Sequence, residues 1–386
     1  MTEIIHCIID EKFFNGIIDV FDYIQGDYHH HYVFFPEGKQ PSSFRYLRYP
    51  ERIAVVDRNF ALDYIHQNPC DILILHNLSA FPIEDLAKVK QRIKIVWLAW
   101  GYDLYAPFKG HRPFIPINQF LPLTQAAINS DLYDRCYRFL KRVRWHLLSY
   151  DKKVEEGVSR IDYFSGVIPW EYEMMQKNSF FHAKKVSFTY FDMRPYATEE
   201  HLSTSLEKGK NILVGNSAGN TNNHIDIMEQ LSRIDIGDKK VIMPLSYAGS
   251  ENYVNKVIAA GQKYFGNQFV PLNKFMPQEE YQKIIASCSY AVYGIERQQA
   301  LGNIWLALWN GLTVFMSKNS PLYSHLHQQG YHLFTIQDDL QRIHDDYQLT
   351  YSEVIENRRT LLSHDSQAIH LQRAMDFFDF LKKDSK

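Results

Sequence analysis

The chain has 386 residues, 45% hydrophobic and 15% aromatic, enough to bury a large core and long enough for two domains. Its formal net charge of −2 excludes a general nucleic-acid binder, because a footprint for phosphodiesters shows as a basic excess. The cysteines Cys7, Cys70, Cys136 and Cys288 lie far apart, with no Cys-x-x-Cys pair, which predicts a reduced, metal-free, cytoplasmic protein.

The amino terminus, Met1-Thr2-Glu3-Ile4-Ile5-His6-Cys7-Ile8-Ile9-Asp10, carries no basic leader and reads as a first strand. No stretch approaches the roughly twenty apolar residues that cross a bilayer, so any membrane contact is expected at the surface. Strand-like apolar runs follow at 31–35, 52–57, 71–75 and 93–100 after the first at 3–9, with helical patterns between most of them. That alternation is the signature of a parallel α/β sheet. The tract His29-His30-His31 has no acidic partner at close spacing and reads as surface.

Two strand ends in this half carry titratable groups. His76 and Asn77 follow the run 71–75, and Asp103 follows Trp97-Leu98-Ala99-Trp100-Gly101. A group transfer to a hydroxyl needs a base within hydrogen-bond reach, and Asp103 and then His76 are the candidates. A helix cap for Asp103 and a structural imidazole for His76 are the competing readings. Trp100 offers a flat face to a sugar ring or to the core.

The stretch 131–150 is helical in pattern. At 100° per residue, Arg135, Arg138, Arg142, Trp145 and His146 share one side, while Phe139, Val143 and Leu147 share the next. A basic and aromatic side beside an apolar one suits anionic headgroups or a lipid-linked diphosphate, and equally a solvated amphipathic helix. After a run at 161–168, the segment 184–209 has no clean period and marks the domain junction.

The second half repeats the alternation, with strands expected at 211–215, 240–245, 268–272, 289–294 and 313–317 and helices at 222–234, 250–264, 277–287 and 299–310. A helical tail covers 350–384. The expected division is therefore 1–190, 191–350 and a tail 351–386, two Rossmann-like doubly wound domains with the ligand cleft at their strand ends.

Two loops of this half stand between a strand and a helix. Gly215-Asn216-Ser217-Ala218-Gly219-Asn220, continued by Thr221 and Asn222, offers uncharged donors, glycines and a helix start, the layout that holds a phosphate. Glu296-Arg297-Gln298-Gln299-Ala300-Leu301-Gly302-Asn303 adds a guanidinium able to grip a diphosphate bidentately. A capped turn and a surface arginine are the bland alternatives. Glu296 reads as a partner of a ribose or sugar hydroxyl, or of Arg297. Tyr247, after the strand 240–245, reads as a stacking platform or a core tyrosine. Neither the Gly-x-Gly-x-x-Gly fingerprint nor a Gly-Lys-Ser/Thr loop is present, which disfavours hydride transfer and ATP hydrolysis.

The strings Ile212-Leu213-Val214-Gly215-Asn216-Ser217, followed by Asn222 or Asn223-His224-Ile225, and Arg297-Gln298-Gln299-Ala300-Leu301-Gly302 resemble those of glycosyltransferase family 56. Trp97-Leu98-Ala99-Trp100-Gly101-Tyr102-Asp103-Leu104-Tyr105 is similar to a further string of that family. The family contains TDP-N-acetylfucosamine:lipid II N-acetylfucosaminyltransferases. The resemblance implies the glycosyltransferase B architecture, with the nucleotide sugar held mainly by the carboxyl-terminal domain and the acceptor by the other. By position it implies donor contacts at Gly215, Asn216, Ser217, Arg297, Gln298, Gln299 and Gly302, and a polyprenyl-diphosphate-linked acceptor at the inner face of a bacterial inner membrane. The second glutamate of the retaining pattern is missing near Ala307-Leu308-Trp309-Asn310-Gly311.

The expected activity is transfer of a deoxy or deoxyamino sugar from a nucleotide diphosphate to a lipid-linked saccharide, without a cofactor. Metal is expected to be unnecessary, since helix amides and Arg297 face the departing diphosphate and no Asp-x-Asp string stands where a cation would bridge it. A non-hydrolysing sugar-nucleotide epimerase and a non-catalytic nucleotide-sugar-binding subunit use the same plan and remain the alternatives.

Overall fold

The computed structural model describes residues 1–384 apart from 12–13, 25, 39–42, 131–135, 137–138, 141–142, 145–147, 149, 189–196, 205–208 and 275. The chain divides into two compact units, Met1–Pro116 with Arg138–Asp192 and Gln367–Lys386, and Ile117–Tyr137 with Met193–Ser366.

The first unit is built on a seven-stranded parallel sheet. Its strands are β1 (Thr2–Ile8), β2 (Tyr28–Phe34), β3 (Ile53–Val55), β4 (Ile72–Leu75), β5 (Lys94–Leu98), β6 (Tyr163–Ser165) and β7 (Lys184–Lys185), in the order β3-β2-β1-β4-β5-β6-β7. β4 reads Ile-Leu-Ile-Leu and is buried throughout, as a central parallel strand covered on both faces must be. The core includes Ile4, Phe14, Ile18, Phe21, Ile74 and Leu98.

The second unit carries a six-stranded parallel sheet of β8 (Asn211–Val214), β9 (Val241–Pro244), β10 (Phe269–Leu272), β11 (Cys288–Tyr293), β12 (Thr313–Met316) and β13 (Phe334–Thr335). The order β10-β9-β8-β11-β12-β13 is the Rossmann order 3-2-1-4-5-6. β8 and β11 are parallel neighbours, with Val214 facing Val292, although β9 and β10 come between them in the chain, so the order reverses between them. That switch point is where open α/β sheets bind ligands, beyond the strands' carboxyl ends.

Apart from the stretch 131–150, which lies largely outside the described residues, the strands and helices expected from sequence are present, with β7 as a two-residue addition in 184–209 and β13 as one where no element was expected. The units depart from chain order in two places. The helix Pro122–Asn129 belongs to the second unit because Asp226 accepts from the amides of Leu123 (2.8 Å) and Thr124 (2.7 Å) at its first turn, while Asn223 Oδ1 takes the Leu121 amide at 2.9 Å. The tail is two helices with an extended break at Ser366 (φ −68°, ψ 163°). Tyr351–Asp365 stays with the second unit, where buried Arg358 donates to the carbonyls of Trp309, Leu202 and Thr204, each at 2.8 Å. Gln367–Asp384 packs Ala374, Phe377, Phe378 and Leu381 into the first unit's core, and Tyr163 donates to Asp384 at 2.7 Å.

Candidate active site

In the second unit the loop after β8 turns at Gly215, whose φ of +69° suits a residue without a side chain. A Cβ there would stand 3.1 Å from Asn222 Oδ1 and 3.3 Å from His224 Nε2. Asn222 organises the loop. Its Oδ1 accepts from the Asn216 amide (3.3 Å), and its Nδ2 donates to Ser217 O (3.2 Å), Ser217 Oγ (3.2 Å) and Gly219 O (3.1 Å). The next residue, Asn223, takes a left-handed conformation and donates to Gly294 O at 2.7 Å, locking this loop to the end of β11. His224 opens the helix His224–Leu231 and is fully buried, with Nδ1 at 3.2 Å from the Tyr253 hydroxyl. Burial pulls its pKa down to about 4, so it is neutral at physiological pH.

The loop after β11 meets the first loop directly. Gln299 donates from Nε2 to Asn216 Oδ1 at 3.4 Å and accepts from Thr221 Oγ1 at 2.6 Å. Asn216 in turn donates to the Tyr247 hydroxyl at 3.4 Å. Three strand-end loops, after β8, β9 and β11, are thus tied together by side chains at the switch point. Tyr247 is 41% exposed, which corrects the core-tyrosine alternative and leaves its ring available at the rim.

Arg297 is half-buried at the end of β11, and its Nη1 donates to the Gln298 carbonyl at 3.3 Å. Glu296 is only 8% exposed, and burial raises its pKa against the opposing hydrogen bonds of Ser317 and Asn319. Its buried Oε1 has no hydrogen-bond partner among the described residues. Gly302 and Asn303 lie in the first turn of the helix Leu301–Trp309, where Asn303 O accepts from Tyr293 at 3.2 Å. Asn220 lies in the short turn that precedes Asn223 and is partly exposed, while Ser217 and Gln298 are buried. The whole constellation therefore combines loop amides, polar side chains, two helix starts and one guanidinium, the inventory of an anion site.

The first unit treats its two candidate bases differently from the sequence-based expectation. His76 is fully buried, with Nε2 at 2.8 Å from His6 Nδ1, and His6 Nε2 lies 2.9 Å from His30 Nδ1. Phe14, Phe21 and Tyr32 surround this chain of imidazoles. Burial drives the His76 pKa down to about 3 and that of His30 to about 4. Asp103 is 2% exposed and takes the Asn77 amide on Oδ1 and three N–H groups on Oδ2, from Leu78 (3.1 Å), Trp97 Nε1 (3.2 Å) and Trp100 (3.3 Å). Burial raises its pKa to about 7 in spite of these donors. A base must touch the hydroxyl it deprotonates, and here both groups are enclosed, Asp103 by four N–H donors and His76 among aromatic rings. Asp103 ties the ends of β4 and β5 together, and His76 ties the end of β4 to β1. Trp100 is partly buried at the start of the helix Gly101–Tyr105.

Arg135, Arg138, Arg142, Trp145 and His146 lie outside the described residues, as does Leu147. In the same stretch Phe139 and Leu140 are each 65% exposed and Val143 is 40% exposed. No described helix is long and apolar enough to cross a membrane.

Sequence reasoning missed the supporting roles of Asn223 and His224, although the string Asn222-Asn223-His224 after a glycine-rich loop was a usable signal, since asparagine tolerates left-handed backbone.

The family model described as 4-alpha-L-fucosyltransferase, glycosyl transferase group 56, matches residues 130–379 of the chain. Among solved structures, HepE of Anabaena in complex with UDP and glucose is 12% identical and superposes with a TM-score of 0.63, covering 98% of this chain and 100% of that one. The lipopolysaccharide outer core galactosyltransferase WaaB is 11% identical with a TM-score of 0.60, covering 99% of each chain. The trehalose-6-phosphate synthase OtsA is 10% identical with a TM-score of 0.58, again covering 99% of each. At these identities the likeness concerns the fold, which is of the glycosyltransferase B type.

Proposed function

The chain belongs to the group 56 glycosyltransferases, and on that premise we propose that it moves a deoxy or deoxyamino sugar of the fucose type from a nucleoside diphosphate to a lipid-linked saccharide. The observation that carries the donor half of this reading is Gln299 bound to both Asn216 and Thr221, which closes two phosphate-binding loops on one another at the switch point. In the reaction an acceptor hydroxyl attacks the anomeric carbon, the bond from that carbon to the diphosphate oxygen breaks, and the hydroxyl's proton passes to the leaving diphosphate or to water. Negative charge then grows on the leaving diphosphate. Amides near Gly215–Ser217 and Gln299–Gly302, with Arg297, neutralise it without a metal bridge, while Glu296 Oε1 accepts from a ribose or sugar hydroxyl and Tyr247 stacks on base or sugar.

The acceptor half rests on the first unit. The exposed apolar side chains Phe139, Leu140 and Val143 adjoin a basic and aromatic sequence, which supports a peripheral contact with anionic lipid at the inner face of a bacterial inner membrane. A thermal-shift panel of nucleotide sugars tests the donor reading, because a ligand that binds only the folded state stabilises it by mass action. Stabilisation by a TDP- or UDP-linked deoxy sugar, with turnover persisting in EDTA, is the expected result. No shift with any nucleotide sugar overturns it. Sedimentation with phosphatidylglycerol vesicles, lost in Phe139→Glu/Leu140→Glu, tests the membrane reading separately.

A further inference from the structure

The sequence left His29-His30-His31 without an acidic partner, and the structure corrects this. β1 and β2 pair in parallel with Glu3 opposite His29, so Glu3, His29 and His31 share one face while His30 turns to the other. The carboxylate Oε2 of Glu3 lies 3.1 Å from His29 Nδ1 and 2.8 Å from His31 Nε2, and the three ligating atoms all fall within 4.8 Å of one another. All three side chains reach solvent, at 56%, 37% and 23% exposure for His29, His31 and Glu3. The Glu3 amide is bound to Asp71 Oδ2 at 2.9 Å, which anchors the backbone of that ligand.

We infer that Glu3, His29 and His31 form a binding site for one borderline divalent cation of the zinc class. Two imidazoles and a carboxylate are a ligand set that zinc accepts, with a position left for water. Metal–nitrogen bonds of about 2.0–2.1 Å place tetrahedral ligand atoms roughly 3.3 Å apart, within a small side-chain rotation of the spacing observed. Imidazole donors select against magnesium and calcium, which take oxygen. The strands hold the three Cα positions in register, so little ordering remains to be done on binding. The site is at the amino-terminal ends of β1 and β2, opposite the strand ends that carry His76 and Asp103, and so acts as a staple between two strands rather than in catalysis.

The test uses tag-free full-length protein, stripped with EDTA and titrated with ZnCl2 by calorimetry, with cobalt(II) absorption as a second readout. One equivalent is expected to bind, to raise the melting temperature and to give a ligand-field spectrum. His29→Ala and His31→Ala should each weaken binding by more than the roughly 10–100-fold that loss of an outer-shell partner costs. Glu3→Gln should lower affinity in the same direction, with transferase turnover unchanged in all three. No uptake, preference for magnesium, or equal uptake by wild type and His29→Ala/His31→Ala would overturn the inference, the last because it assigns binding to others of the 17 histidines.

Discussion

Gln299 bridges Asn216 and Thr221, donating to the first at 3.4 Å and accepting from the second at 2.6 Å. One side chain from the loop after β11 thereby sets the position of the loop after β8. Gln299→Ala removes two hydrogen bonds within the protein, worth roughly 0.5–1.5 kcal/mol each, so the melting temperature should fall by a few degrees, and the loosened loop should raise the KM for nucleotide sugar about five- to tenfold. Initial-rate kinetics at saturating acceptor check this.

Arg297 is the one cation among the proposed donor contacts. Arg297→Ala should lower kcat/KM for the nucleotide sugar by about ten- to a hundredfold, from the roughly 1.5–3 kcal/mol of a charge-assisted hydrogen bond. Arg297→Lys should recover part of it, because an ammonium keeps the charge without the planar fork. Unchanged kinetics in the alanine variant would remove Arg297 from the site.

Gly215 combines a φ of +69° with neighbours at 3.1–3.3 Å from a Cβ. Gly215→Ala should destabilise the second unit by about 1–2 kcal/mol, the cost of left-handed backbone for an L-residue, and weaken donor binding as Asn222 shifts. Urea unfolding and nucleotide-sugar thermal shift measure the two effects.

Asp103→Asn would turn an amide toward the donors of Leu78, Trp97 and Trp100. A stability loss of about 1–3 kcal/mol is expected. Turnover should fall only in proportion to the folded fraction. A folded variant with turnover reduced more than about a hundredfold would instead restore Asp103 as the general base.

The imidazoles His6, His30 and His76 are all held neutral by burial, His6 well below its ordinary value, His30 down to about 4 and His76 to about 3. The unfolded chain binds protons at these groups below about pH 6.5 and the folded chain does not, so stability is complete above that pH and falls as the solution is acidified. Each fully buried imidazole contributes a slope of about 1.4 kcal/mol per pH unit. Asp103, raised to about 7, acts in the opposite sense, losing stability as pH rises from its unfolded value. Three imidazoles outweigh one carboxyl, so the melting temperature should drop between pH 7 and 5. His6→Gln should flatten that slope, whatever it does to stability at neutral pH.

The alternation of apolar runs and helical periods determined that both halves are α/β units and that Gly215, Arg297, His76 and Asp103 stand at strand ends, because backbone periodicity is a local property of neighbouring residues. Which ends lie side by side was decided by sheet order and register, which depend on packing across long stretches of chain. Only the fold puts β8 beside β11 so that Gln299 reaches Asn216, sets Glu3 against His29 and His31, and buries His76 against His6. Burial likewise encloses His76 and Asp103, and the end of the chain was divided between the units by where Arg358 and Phe378 could be enclosed. No pattern along the chain reports such contacts, since their partners are tens to hundreds of residues away.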